Sequence, residues 1–441
     1  MLLPSLARPA TASPQSKSDP REDRIRALEA DLVRVRKEIA RLHEEIEALR
    51  SQARAARESS ATAARLETIE AHQVKLEAEL ARLADDLKHT GDALDQASEA
   101  DRKRPTVTVY GTLQASAYHG TNSLLDAEAF EMVLSGRPHQ RLSFFAEIEF
   151  ERAAAVGAER GGEVVLEQAY ASYAFAALLT LRAGVLLVPF GNVNVDHFAP
   201  LRDVVGKPLV SYAIAPSDWT DNGIQISGRH LIGASWLVNY EACVVAGLDA
   251  NFDSVGLRGA RQGFGVDNNG NKALAGRLSV HRGSTFELGG STYTGKYDDA
   301  GTRRLTGYAI DSRVEVGTLR LTGEYDHFVA DRGRERNARF QGYYVRASYD
   351  LRGRALRAIA KDFDDPRLTL VVQYDWVRIE GPGPASGAFE ANREERLTAG
   401  IAYRPSRQWV LKVNYERNTA SSRPLDRGNL DGWLGSIGFV F

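Results

Sequence analysis

The chain has 441 residues, 56 lysines and arginines against 58 aspartates and glutamates, and a formal net charge of -2. That balance excludes a partner held through nucleic-acid phosphates, which needs a basic surplus. The mean hydropathy of -0.33 and the lack of any run near the roughly 18 consecutive apolar residues of a membrane helix exclude a helical membrane protein, whereas a transmembrane β-barrel passes both filters because its lipid-facing and water-facing residues alternate.

Charge is even along the chain. Residues 1–104 carry 19 basic and 20 acidic side chains and the remainder 37 and 38, so neither part is a charged tail. Cys243 is the single cysteine, which excludes an intrachain disulfide and a thiolate metal cluster. The opening "MLLPSLARPATASPQ" has Leu2, Leu3 and Ala-Thr-Ala at positions 10 to 12. It lacks the basic n-region and apolar h-region of an export signal, and residues 1–20 are expected to be disordered or the remnant of an export segment.

From Arg21 to residue 100 there is no proline, no aromatic residue and one glycine, Gly91. Ile25, Leu28, Leu32, Val35, Ile39, Leu42, Ile46 and Leu49 follow a strict 3-4 spacing, which keeps one apolar seam on a partner helix and predicts an α-helical coiled coil. The seam resumes, shifted, at Leu66, Ile69, Gln73, Leu76, Leu80, Leu83 and Leu87, with Gln73 able to fix register. Self-association is the favoured solution; a hairpin turning across residues 51 to 64 buries the same side chains. Ile at a with Leu at d favours a dimer in parallel coils, but the Leu-rich second seam discriminates less, so the oligomer number stays open.

At Pro105 the period changes to two. "VTVYGTLQASAY" sets Val107, Val109, Gly111 and Leu113 against Thr106, Thr108, Tyr110 and Thr112. "RLSFFAEIEF" sets Leu142, Phe144, Ala146, Ile148 and Phe150 against Glu147 and Glu149, and "TLRLTGEYDHF" sets Leu319, Leu321, Gly323 and Tyr325 against Arg320, Thr322, Glu324 and Asp326. Such segments begin near residues 106, 126, 141, 163, 178, 223, 235, 272, 285, 303, 318, 339, 367, 394, 408 and 431. About sixteen strands, each long enough to cross a membrane when tilted, predict an all-β transmembrane antiparallel barrel over residues 101–441. A two-sheet sandwich also alternates, but sixteen long strands would make an unusually large one. Aromatics near segment ends, Tyr325, Phe328, Tyr374, Trp376, Tyr403 and Trp409, suit interfacial girdles.

Between the fifth and sixth segments lies the longest non-alternating stretch, "VPFGNVNVDHFAPLRDVVGKPLVSYAIAPSDWTDNG". Pro189, Pro200, Pro208 and Pro216 prevent regular pairing, and its apolar content argues against disorder. We expect residues 192–221 to fold against the wall and narrow the lumen, with Asp196, His197, Arg202, Asp203, Lys207, Asp218 and Asp221 at a constriction where charges act strongly. Arg202 and Lys207 would attract anions; the alternative is a plug or rim loop with solvated charges. Arg182, Arg229, Arg277, Arg313, Arg320 and Arg346 fall on the polar phase of their strands and can line the pore as an anion track. Glu147, Glu149, Glu315, Glu324 and Asp326 share that phase, so mutual neutralisation is the competing reading. HExxH, GxSxG, P-loop and zinc spacings are absent, so neither an enzyme nor a cofactor is expected. A Ser/His pair assembled from distant strands is beyond what a local motif reveals.

The terminal "DGWLGSIGFVF" alternates Trp433, Gly435, Ile437, Phe439 and Phe441. This last strand is expected to pair with the first, since amides left unpaired in lipid cost several kcal/mol each. A terminal Phe441 on such a strand resembles the end by which the barrel-assembly machinery recognises its clients. "LEQAYASYAFAALLTLRAGVLLVPFGNVNVDHFAPL" with "SDWTDNGIQISG" resembles the phosphate-selective porin O and P family, carried by Arg182, Ala183, Gly184, Pro189, Phe190, Gly191, Asn222, Gly223, Ile224 and Gln225; "VYGTLQASAY" is similar to that family's first strand. The resemblance implies a trimeric, sixteen-stranded outer-membrane channel with a periplasmic coiled coil over residues 21–100. Phosphate-selective members carry several basic residues on the inward loop, whereas this one offers Arg202 and Lys207 beside acids. The expected function is a porin for passive diffusion of small solutes or ions, with anions such as phosphate among the candidates. The alternative is a structural anchor whose coiled coil tethers the envelope. Outer-membrane lipid and further copies of the chain, as a homotrimer, are the expected partners.

Overall fold

The computed structural model describes residues 20–55, 67–85, 88, 104–152, 162–195, 198–216, 218–351, 356, 363, 366–383, 387–421 and 429–441. The chain divides into two units, with the boundary between Arg104 and Pro105.

In the first unit, α1 (Pro20–Ala55) and α2 (residues 67–85) carry the expected seam. Leu32, Val35, Leu42 and Ile46 are buried, with Ile39 and Leu49 half-buried between them. On α2 Ile69, Gln73, Leu76, Leu80 and Leu83 are the apolar or seam positions that are half-buried. Arg50 Nη2 donates to Glu70 Oε1 at 2.9 Å, and Gln73 Nε2 lies 3.1 Å from His43 Nε2. These two pairs run in opposite sense along the helices, so within one chain the arrangement is the folded-back one. Leu66, Leu87 and the side chains of Ile25 and Leu28 lie outside the described residues.

The second unit is a closed antiparallel barrel of sixteen strands among the described residues. These are β1 (Thr106–Tyr118), β2 (Leu124–Gly136), β3 (Leu142–Glu151), β4 (Glu163–Ala176), β5 (Leu179–Leu187), β6 (Thr220–Ile232), β7 (Trp236–Val245) and β8 (Ala273–Arg282). They continue with β9 (Phe286–Lys296), β10 (Arg304–Val316), β11 (Leu319–Ala330), β12 (Ala338–Leu351), β13 (Arg367–Pro382), β14 (Phe389–Arg404), β15 (Trp409–Ala420) and β16 (Gly432–Val440). The largest departure from the alternation is at β14, which was expected near residue 394 and begins at Phe389. Each strand pairs with its neighbours in sequence, and β1 pairs with β16 in the register Gly111↔Phe439 and Leu113↔Ile437. Phe441 extends this seam, its N–H donating to Val109 O at 2.8 Å and its carbonyl accepting from Val109 N at 2.9 Å.

Burial along the strands is inverted relative to a water-soluble protein. Large apolar side chains stay exposed on the outside, Ile310 at 57%, Leu274 at 55% and Val372 at 50%, while Glu147, Asp375 and Asn414 inside are fully buried. An apolar solvent on the outside accounts for both halves of that pattern. Aromatic pairs gather at two levels of the outer surface. Tyr415–Trp433 (5.1 Å) and Tyr343–Trp376 (5.7 Å) lie towards one end, and Trp409–Phe439 (5.8 Å) and Trp236–Phe286 (6.0 Å) towards the other. Phe328 does not join them: it points inward and packs on Phe190 with ring centroids 4.7 Å apart. A bulky aromatic on the inner face was not separable from a girdle residue by position along the strand.

One end of the barrel has tight turns, such as residues 177–178 and 317–318; the other has long connections, 188–219 and 246–272. The apolar outer band makes a direct expectation. Val372→Arg, in mid-band, lowers barrel stability in lipid by about 2–4 kcal/mol, whereas Leu351→Arg at a strand end costs about 0–1 kcal/mol. Equilibrium unfolding in bilayers by guanidinium measures both.

Candidate functional site

The connection between β5 and β6, residues 188–219, turns into the bore instead of crossing its rim. Its two ends are clasped together. Val188 N donates to Trp219 O at 2.9 Å, Trp219 N donates to Asn194 Oδ1 at 2.7 Å, and Asn194 Nδ2 donates to Val188 O at 2.8 Å. The loop therefore closes at Trp219. Asp221, expected inside it, lies on β6, where its carboxylate accepts from Asn222 N and Gly247 N, each at 2.7 Å. Strand pairing with β5 at Leu186↔Asp221 takes this residue out of the loop.

The first turn after Pro189 depends on Gly191. Its φ is +66°, and a Cβ there would lie 2.3 Å from Glu324 Oε1, so a side chain meets both strain and collision. The space is used by Glu324, reaching in from β11 to accept Asn192 N at 2.6 Å and Val193 N at 2.9 Å. These are the free amides of a one-turn helix, α3 (Asn192–Val195), which need an acceptor.

Further along, the wall holds the loop by its backbone. Lys412 Nζ donates to Ala199 O at 2.9 Å, Asn414 Oδ1 accepts from Val205 N at 2.6 Å, and Asp375 Oδ1 accepts from Leu209 N at 3.0 Å. Asp203 is the ionic centre of this attachment: Arg404 Nη1 donates at 2.9 Å, Arg320 Nη2 at 2.5 Å and Ser348 Oγ at 2.9 Å. Arg404 Nη2 also donates to Arg202 O at 2.9 Å. Two guanidinium groups on one buried carboxylate make the geometry specific.

Apolar packing completes the seat. Phe190, Leu209, Val210, Ile214 and Trp219 of the loop join Tyr293, Phe328 and Phe340 of the wall, with Trp219 and Tyr293 rings 4.9 Å apart. The β7–β8 connection also folds inward, burying Leu248, Phe252, Leu257 and Ala260 in the same cluster. Leu257 N donates to Ala213 O at 3.2 Å, and Asn392 Nδ2 donates to Ser254 O at 2.7 Å.

The charged residues expected at the constriction take different places. Asp196 and His197 lie outside the described residues. Lys207 and Asp218 form an ion pair, with Asp218 at a φ of +49° where the loop turns towards β6. Arg202 is 8% exposed, and its Nε and Nη1 make no hydrogen bond within the protein. Of the strand arginines, Arg182 donates to Gln225 Oε1 at 3.0 Å; Arg277 pairs with Asp311; Arg313 pairs with Glu315; Arg320 belongs to the Asp203 centre; and Arg346 donates to Gln373 Oε1 at 2.7 Å. Arg229 is exposed near the tight-turn end of β6. The wall residues that seat the loop, Glu324, Asp375, Arg404, Lys412 and Asn414, escaped the sequence reading as loop anchors, because alternation assigns them a face but no partner across the bore. Among the described residues no group of three or more His, Cys, Asp or Glu is placed to hold a metal ion.

No known family profile matches the chain. An uncharacterized protein of Aquifex aeolicus (strain VF5) is 27% identical over 326 residues, 67% of this chain and 71% of that protein. Among solved structures, Salmonella typhi OmpF in complex with daunomycin superposes with a TM-score of 0.53 at 13% identity, covering 78% of this chain and 99% of that one. The anion-selective porin from Comamonas acidovorans gives 0.51 at 14% identity, covering 77% and 100%. The barrel has the porin fold. It fits the bacterial outer membrane, and the loop from Val188 to Trp219 enters the bore with the β7–β8 connection packed against it.

Asp203→Ala removes the carboxylate between Arg320 and Arg404, and breaking a buried pair in this way costs about 3–5 kcal/mol. Hydrogen exchange at the Val205 and Leu209 amides is expected to accelerate by about a hundredfold or more as the loop detaches, with the strand amides of β15 unchanged.

Proposed function

We propose that this protein is an outer-membrane porin: a water-filled channel for passive diffusion of small solutes or ions, anions such as phosphate among them. The observation that carries the reading is the inverted barrel with a charged loop seated inside it, since an apolar exterior places the cylinder in lipid and a polar interior has water or solute as its counterpart. Short turns face the periplasm in bacterial barrels, and β1 begins at that end, which supports a periplasmic place for residues 21–100. Half-buried Ile69, Leu76, Leu80 and Leu83 leave apolar seam for further copies of the chain, and the porin fold of the barrel supports three of them. The Phe441 end is the proposed contact with the barrel-assembly machinery. Porin-like neighbours support a channel and not an enzyme.

The same half-covered seam favours one second reading, a structural anchor that tethers the envelope and conducts little. Reconstitution of the full chain into planar bilayers separates the two. Steady, ion-dependent conductance is expected of the channel; a silent barrel, with envelope detachment on deletion of residues 21–100, supports the anchor. Arg202→Ala and Lys207→Ala should each move the reversal potential in asymmetric salt towards cations. An unchanged potential in both variants removes these side chains from the selectivity mechanism.

A further inference from the structure

One sector of the barrel wall carries inward charges of a single sign. β2 carries Asp126, Glu128 and Glu131, β3 carries Glu147, Glu149 and Glu151, and β4 carries Glu163 and Glu167, while none of these three strands contains a lysine or arginine. All eight fall on the inner phase: Leu125, Phe130, Leu134, Leu142 and Val164 hold the exposed outer positions, and bulges between Thr112 and Gln114 and between Glu147 and Ile148 keep the acids inward on either side of the break. Some are engaged by neutral groups. Glu147 accepts from Tyr110 Oη at 2.5 Å and from Gln168 at 2.8 Å, and Glu128 accepts from Thr112 Oγ1 at 2.9 Å. Arg152, just past β3, reaches Asp126 and Glu151 at the long-loop end.

The opposite wall holds cations already committed elsewhere: Arg320, Arg404 and Lys412 fasten the loop, and Arg277 and Arg313 pair with carboxylates. The loop is thus bound to a wall of mixed charge, through Glu324 and Asp375 as well as Arg320, Arg404 and Lys412. Glu149 has Asp218 and Lys207 as electrostatic neighbours. Arg202 has Glu128, Asp218 and Glu131 as its own, yet its Nε and Nη1 hydrogen-bond to none of them. A buried guanidinium with two nitrogens unpartnered is a place where water or a solute can supply the missing acceptor.

We infer that the permeation path runs between the tip of the inward loop and the β2–β4 wall, and that the carboxylates of this wall make the path prefer cations. The inference rests on the channel reading above and gives that channel its solute class. Eight acids on three adjacent strands, answered by no basic residue on those strands and by Arg152 at the long-loop end, hold an attractive potential for small cations that Lys207, paired with Asp218, does not cancel. The anion preference implied by the phosphate-porin resemblance would need a basic surplus along the same strip, where among the described residues Arg202 and Arg346 face the acids of three strands.

The test uses the full chain in planar bilayers under a potassium chloride gradient. The wild-type reversal potential is expected to show potassium favoured over chloride, and Glu131→Gln with Glu149→Gln together to lower that permeability ratio by about threefold or more. Retained heat-modifiable migration on gels establishes that the double variant is folded. A second measurement needs no variant: a trivalent cation complex, hexaamminecobalt(III), is expected to block wild-type current at concentrations where inorganic phosphate does not. Chloride preference in the wild type, an unchanged ratio in the folded double variant, or block by phosphate and not by the trivalent cation would overturn the inference while leaving the channel intact. Absence of any conductance overturns the channel reading itself, and the inference with it.

Discussion

A backbone amide in hydrocarbon has no water to bond, and the structure is arranged around that constraint. Only a sheet that closes on itself leaves no unpaired edge in lipid. The pairing of β1 with β16, continued through Val109 and Phe441, is therefore the condition for the other fifteen pairings to exist in a membrane. Once closed, the sheet offers two solvents to alternate residues, and the inverted burial of Ile310 and Leu274 outside against Glu147 and Asn414 inside follows from the two-residue period.

Closure also creates a difficulty, because a polar bore must receive a loop rich in apolar residues. Two devices resolve it. Apolar loop residues meet a local apolar sector of the wall around Tyr293, Phe328 and Phe340, so no large hydrophobic face is left in water. Loop carbonyls and amides, which would otherwise be desolvated without partners, are taken by Lys412, Asn414, Asp375 and Glu324. Charge on this wall serves attachment, and the acids of β2–β4 have no basic residue on their own strands. The asymmetry links how the loop is held to what the bore can attract.

The architecture was legible in the sequence because a two-residue period is local. Each strand announces its faces, as Leu319, Leu321 and Tyr325 do against Arg320, Glu324 and Asp326, and the prolines at 189, 200, 208 and 216 mark where pairing stops. The site was less legible because its partners are far apart in the chain. Asp203 meets Arg320, Ser348 and Arg404, and nothing local to Asp203 names them. Phe328 shows the same limit: its position suited a girdle, and only the fold turns it onto Phe190. In the helical unit the heptad seam was plain, but a seam does not say which helix covers it, and the contacts of His43 with Gln73 and Arg50 with Glu70 belong to one chain. The eight acids of β2–β4 were partly visible as Glu147 and Glu149; the missing signal was the absence of any basic residue across three strands.

The central claim is that successive side chains on one strand meet lipid and water in turn. Single cysteines placed from Val410 to Glu416 on β15, in a Cys243→Ser background and with the protein in liposomes, test it residue by residue. The account predicts that labels at 411, 413 and 415 are quenched by a lipid-borne quencher, whereas those at 410, 412, 414 and 416 are not. Quenching that is uniform along the segment, or that favours the even positions, would contradict it.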